Sequence, residues 1–222
     1  TLQKPTEDVV VEIGWRTGTD PVSFKPTFET FWDRRVSTRV AGQQVPSLAP
    51  DDRLLLLTYH GVKHQLFLLK WVADIAKTVH ATADLDWAAL FQRAQKYGTS
   101  RRLTVGLGVA AKVLDADVPG IDERLTTDDR AATLVDQVYD RFVTRPLNIP
   151  GARDNLKYHM AASESLVARV ASSVLVTQLH PTRAEYRMAP LPGSLHPVYY
   201  LFRPLRLLGV CSLKLWREVH SD

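Results

Sequence analysis

Between Tyr59 and Ile75 the chain reads Tyr-His-Gly-Val-Lys-His-Gln-Leu-Phe-Leu-Leu-Lys-Trp-Val-Ala-Asp-Ile, and this stretch limits what the chain can fold into more than any other. On an α-helix, at about 100° per residue, His60, Lys63, His64, Lys70 and Asp74 fall within an arc of about 120°. The surrounding positions, Val62, Leu66, Leu68, Leu69, Val72, Ala73 and Ala76, are apolar. The spacing predicts a helix buried nearly all round, whose polar stripe must face partners, water or a ligand, because burying polar groups without hydrogen bonds is costly. The stripe is therefore the first candidate for a site.

From Pro50 onward the pattern is helical. Pro50 with Asp51 and Asp52 marks a helix N-terminus, where negative charge complements the helix dipole, and this helix runs to about residues 60–64. A second helix, or a continuation past Gly61, carries Gln65 to Val79. Asp86 and Gly98 bracket a helix over 87–97, and Thr99 or Ser100 caps the next, to about Leu114. Further helices are expected from Thr127 to Val143, from Asp154 to about Leu179, and from Val198 to about Val219. Ahead of Pro50, the β-branched run 8–16 reads as one strand, Phe28–Arg35 as a short helix, and 36–40 with 44–48 as a hairpin. The fold class is mainly α (α+β): a short N-terminal β segment packed on a helical array of about six or seven helices. The division expected is 1–48 and 49–222.

With 222 residues, of which 45% are hydrophobic, the chain can bury a real core. Its net charge of +4, from 28 basic and 24 acidic side chains, suits a small phosphate-bearing ligand better than a nucleic acid, and no nucleic-acid partner is expected. The single cysteine, Cys211, rules out an internal disulfide framework and a cysteine-based zinc module, which makes a cytoplasmic setting the expectation. The first residues do not read as a signal peptide, and no apolar run is long enough to span a membrane. The chain begins without Met, as a processed protein or a piece of a longer one would.

His60 and His64 have the spacing of a metalloprotease helix, but Gly61 stands where the general-base Glu would be, so a zinc protease is excluded. Hydrogen-bonded histidines or phosphate contacts remain. Lys70 and Asp74, at i and i+4, read either as a surface ion pair or as a ligand-binding pair. Arg101 and Arg102 open a helix, a place for a phosphate or simply for solvated arginines. Gly106 and Gly108 lack the third glycine of a dinucleotide fingerprint and are read as close helix packing. No Gly-x-Ser-x-Gly elbow, Walker loop or kinase signature occurs. The aromatic and basic run 198–217 could make weak contact with an anionic membrane surface, although a core-packed terminal helix is the simpler reading.

Taken together, Val11-Glu12-Ile13-Gly14-Trp15-Arg16, Phe31-Trp32-Asp33-Arg34-Arg35, the block from Leu48 to Leu57, and His60-Gly61-Val62-Lys63-His64 with Leu69-Lys70-Trp71-Val72-Ala73-Asp74-Ile75 resemble an uncharacterised nucleotidyltransferase family. Gly98 to Leu103 and Tyr199 to Arg206 fit the same likeness. The resemblance implies a polymerase-β-like palm followed by a helical domain, and Mg²⁺- or Mn²⁺-dependent transfer of a nucleoside monophosphate from a nucleoside triphosphate to an unknown acceptor. It implies that Glu12 is the third metal-binding carboxylate, and that Lys70 holds the triphosphate while Asp74 orients it or the base. His60, Lys63, His64 and Arg101 would add phosphate contacts. A Gly-Ser turn leading into an Asp-x-Asp pair, which two-metal catalysis needs, is absent from the 222 residues. The chain is therefore expected to be either the C-terminal portion of a longer enzyme or a member without the catalytic half. The alternative is a non-catalytic nucleotide- or partner-binding module.

Overall fold

The computed structural model of the chain describes residues 2–3, 10–11, 24–82, 84–144, 152–164 and a few positions between 188 and 200. Two short strands, β1 (Leu2–Gln3) and β2 (Val10–Val11), pair antiparallel. Only these two residues of the expected strand 8–16 are described. Helix α1 (Phe28–Trp32) follows, then a hairpin of β3 (Val36–Val40) and β4 (Gln43–Ser47). Its two-residue turn has positive φ at both Ala41 and Gly42, the backbone twist that matches paired strands.

The helical array consists of α2 (Pro50–Lys63), α3 (Leu69–His80), α4 (Trp87–Tyr97), α5 (Ser100–Leu114), α6 (Ile121–Thr127), α7 (Asp129–Thr144) and α8 (Ala152–Ala162). The mainly helical class and the hairpin agree with expectation. Helix α5 is the axis of the array. Every residue from Arg102 to Ala110 is buried, and α2, α3, α4, α6 and α7 all pack against it. Close approach is possible because Gly106 and Gly108 lack side chains: a Cβ on Gly106 would lie 2.6 Å from Thr58 Cγ2, and one on Gly108 2.9 Å from Val135 Cγ2. Leu54, Val62, Ile75, Leu90, Leu103, Leu107 and Leu134 fill the spaces around them. A smaller cluster of Phe24, Phe31 and Tyr59 seats α1 on α2.

Three expectations need correction. First, no single helix spans 59–75. The N–H of Gln65 bonds to the carbonyl of Val62 (2.9 Å) and that of Leu66 to Gly61 (2.7 Å), with positive φ at Gln65 and Leu66. This is a Schellman stop, and the fully buried Leu66 folds back over Gly61, where a Cβ would lie 2.6 Å from Leu66 Cδ2. Second, α6 stands between α5 and α7; its seven residues, after left-handed Gly120, offer too little periodicity to be read. Third, α8 ends at Ala162, with the Ser163 hydroxyl donating to the His159 carbonyl (2.9 Å), so the expected helix does not pass unbroken through 163–164; its remainder, 165–179, lies outside the described residues. Most of the expected C-terminal helix, including residues 201–217, lies outside the described residues. Among the described residues no helix is long and apolar enough to cross a membrane.

Candidate functional site

The Schellman corner divides the polar stripe. His60 and Lys63 stand on the last turn of α2 and His64 is its C-cap, whereas Lys70 and Asp74 lie on α3. The stripe is not buried: His60, His64, Lys70 and Asp74 are exposed and Lys63 is half-buried. Burial was expected because the stripe was laid on one continuous helix. Turning the chain at residues 64–68 buries Val62, Leu66, Val72, Ile75 and Ala76 in the core and leaves the polar stripe outside, together with Leu68, Leu69 and Ala73.

At the corner, three rings meet. The His60 and His64 imidazoles are 4.7 Å apart between centroids, and Trp71, from the first turn of α3, lies 5.6 Å from His60 and 5.3 Å from His64. One side of Trp71 packs on the core. The Lys70 ammonium is 6.0 Å from the indole centroid, and no ion pair joins it to Asp74 among the described residues. Partial burial pushes both imidazoles below the ordinary histidine range, helped by Lys63 and Lys70 around His60 and by His60 and Lys63 around His64. Near pH 7 both rings are therefore neutral, each offering one N–H donor, one acceptor nitrogen and a π-face. The arrangement can stack on a planar base, and two lysines beside it can meet phosphate oxygens as point charges.

Arg101 takes a different place. Its guanidinium pairs with Asp128 (2.7 Å) and donates to the carbonyls of Ala161 (3.2 Å) and Ser163 (3.0 Å), and its backbone N–H bonds to Glu164. It ties α5 to the ends of α6 and α8. The side chain next to it, Arg102, is buried with its guanidinium 4.8 Å above the Tyr59 ring. Near it stand Tyr158 and His159 of α8, and Arg141 of α7 donates to the Gln65 carbonyl (2.8 Å). Gln65 donates in turn to Asn155 (2.6 Å), which fixes the corner to α8. Arg102 was read with Arg101 as a place for a phosphate or as a solvated arginine, and its burial removes the second reading; Arg141, Tyr158 and His159 were not singled out from the sequence. The available signal was Tyr158-His159, two titratable residues in succession on an amphipathic helix, but nothing local indicates that α8 returns to the end of α2.

Glu12 lies outside the described residues. Among the described residues no three His, Cys, Asp or Glu side chains are grouped so as to hold a metal ion. The two Asp-x-Asp sequences serve other ends: Asp86 caps α4 by accepting from the Ala89 N–H (2.9 Å), and Asp115 ends α5 in a left-handed conformation.

A family model described as an uncharacterised nucleotidyltransferase matches residues 1–115. The chain belongs to this family. No curated protein and no solved structure matches it. In this nucleotidyltransferase-family chain the match takes in Glu12, the ring cluster, both lysines, Asp74, Arg101 and Arg102, and it ends with α5.

Proposed function

We propose that the α2–α3 corner binds a nucleoside triphosphate, and that this chain takes part in Mg²⁺- or Mn²⁺-dependent transfer of a nucleoside monophosphate to an acceptor. The observation that carries the reading is the exposed cluster of His60, His64 and Trp71 flanked by Lys63 and Lys70, inside the family-matched region. Lys70 holds phosphate by charge, and Asp74, one turn further along α3, orients the nucleotide. His60 and His64 serve as neutral donors and stacking faces, and their N–H groups can still meet phosphate oxygens. The guanidinium of Arg101 is taken up by Asp128 and the end of α8, which removes it from the phosphate-binding set.

The described residues do not by themselves build a two-metal centre. Glu12, as a metal carboxylate, would need partners beyond the described residues. The absence of a Gly-Ser turn leading into Asp-x-Asp favours a second reading, in which these residues bind a nucleotide or an acidic partner without chemistry. Calorimetric titration with nucleoside triphosphates, with and without Mg²⁺, tests both. Lys70→Ala should weaken binding about tenfold, and unchanged affinity would sink the site. Binding strengthened by Mg²⁺ favours the enzyme; binding that responds only to salt favours the module.

A further inference from the structure

Arg101 and Arg102 are consecutive, yet their surroundings are opposite. The Arg101 guanidinium has an ion pair with a carboxylate and two carbonyls, whereas Arg102, 5% exposed, has an aromatic ring and, among the described residues, nothing to accept from its Nη1. No carboxylate among the described residues forms an ion pair with it. Tyr158, 4% exposed, likewise has a hydroxyl with no hydrogen-bond partner among the described residues. A buried guanidinium N–H and a buried hydroxyl left unmade both cost stability.

These two groups lie on neighbouring elements. The Tyr158 hydroxyl is close enough to Arg102 and Arg141 to feel both charges, and His159 feels Arg102, His64 and Lys63. The carboxylates of Asp128 and Glu164 are taken up by Arg101. The junction of α2, α5, α7 and α8 thus gathers positive charge and spare donors around a place where the described residues supply no anion. Oxyanions with several acceptor lone pairs, phosphate above all, match forked guanidinium donors and a phenolic O–H.

We propose that Arg102 and Tyr158 form a buried oxyanion site that receives a phosphate or diphosphate group, entered from the side of Lys63 and His64. It deepens the nucleotide reading by naming where a phosphate is held, and rests on residues that reading does not use. Tyr158→Phe is the informative variant because it keeps the ring and removes only the hydroxyl; Arg102→Lys keeps the charge and removes the fork.

The test is calorimetric titration of the 222-residue chain with inorganic pyrophosphate and, separately, with ATP at fixed ionic strength, on wild type, both variants and Trp71→Ala. Wild type should bind pyrophosphate, Tyr158→Phe should bind it about tenfold more weakly and Arg102→Lys more weakly still. Absence of pyrophosphate binding by wild type, or equal affinity in folded Tyr158→Phe, overturns the site. If pyrophosphate binds as expected and ATP binds no more tightly, the base platform fails and the oxyanion site stands. If ATP binds through Trp71 but is indifferent to Tyr158→Phe and Arg102→Lys, the oxyanion site fails and the platform stands.

Discussion

Where α1, α2 and α4 meet, Asp51 and Asp52 face Arg34 and Arg93: Asp52 lies 2.9 Å from Arg34 and 3.2 Å from Arg93, and Asp51 pairs with both. Where α2, α5, α7 and α8 meet, Arg102 and Arg141 stand with Lys63, two histidines and a tyrosine hydroxyl, and the neighbouring carboxylates serve Arg101 instead. The first junction is balanced, carboxylate for guanidinium, and holds the N-terminal elements to the array. At the second, no carboxylate among the described residues pairs with Arg102, and this is the place proposed for a ligand. Buried pairs are seldom a net gain over apolar packing, but removing one partner from them is costly. The two junctions should therefore respond differently to the loss of a single charge.

The largest effect belongs to the balanced junction. Asp52 is fully buried, and burial pushes its carboxyl above the usual range despite Arg34 and Arg93. Asp52→Ala, leaving Arg93 without its inner partner, should lower unfolding stability by about 3–4 kcal/mol in a denaturant titration. A loss below about 1 kcal/mol would remove the distinction between the junctions.

Next comes the acid response of the second junction. Burial, with Arg102, His64 and Lys63 nearby, pushes His159 from 6.5 down to about 4. Above pH 6.5 the ring is neutral in folded and unfolded chain alike. As the pH falls from 6.5 toward about 4 the unfolded chain takes up the proton first, so folding loses stability across that window, by roughly 2 kcal/mol. His159→Gln should flatten this part of the stability–pH curve, and a curve unchanged by the substitution would show that His159 is not the group responsible. A bound phosphate, by supplying negative charge beside the ring, should raise the folded-state value toward 6.5 and so shrink the loss.

The smallest effect calibrates the others. Lys112 and Asp136 are 2.6 Å apart, but both are exposed. Lys112→Ala should change stability by less than about 0.5 kcal/mol in the same titration. A larger effect would mean that short distance, rather than burial and balance, decides what these pairs contribute.

Local signals carried most of the fold. The hairpin, the Asp86 cap, Gly98 and the span of α5 were all legible because each rests on residues adjacent in the chain. The glycines of α5 were rightly read as packing. The break after α2 was only one of two alternatives in the sequence, because its Schellman stop has Gln65, not glycine, in the left-handed position. The ring cluster was half legible: the histidine spacing is plain, whereas Trp71 joins only once the chain has turned. The junction at Arg102 was illegible, since its members are drawn from helices up to almost a hundred residues apart, and the same two-arginine sequence is satisfied at one position and unsatisfied at the next.

The corner under Leu66 has a consequence for how ligand preference can change. On one straight helix, Lys63 and Lys70 would stand about 10 Å apart along the axis, a spacing set by helix geometry and immune to selection. Here their separation depends on the angle between two helices, and that angle rests on a leucine seated over a glycine. Substitutions at Gly61 or in 65–68 can lengthen or shorten the ruler between the two charges while leaving both lysines, both histidines and Trp71 in place. Relatives of this chain can thus come to accept a ligand of different length by drifting at positions that never touch it.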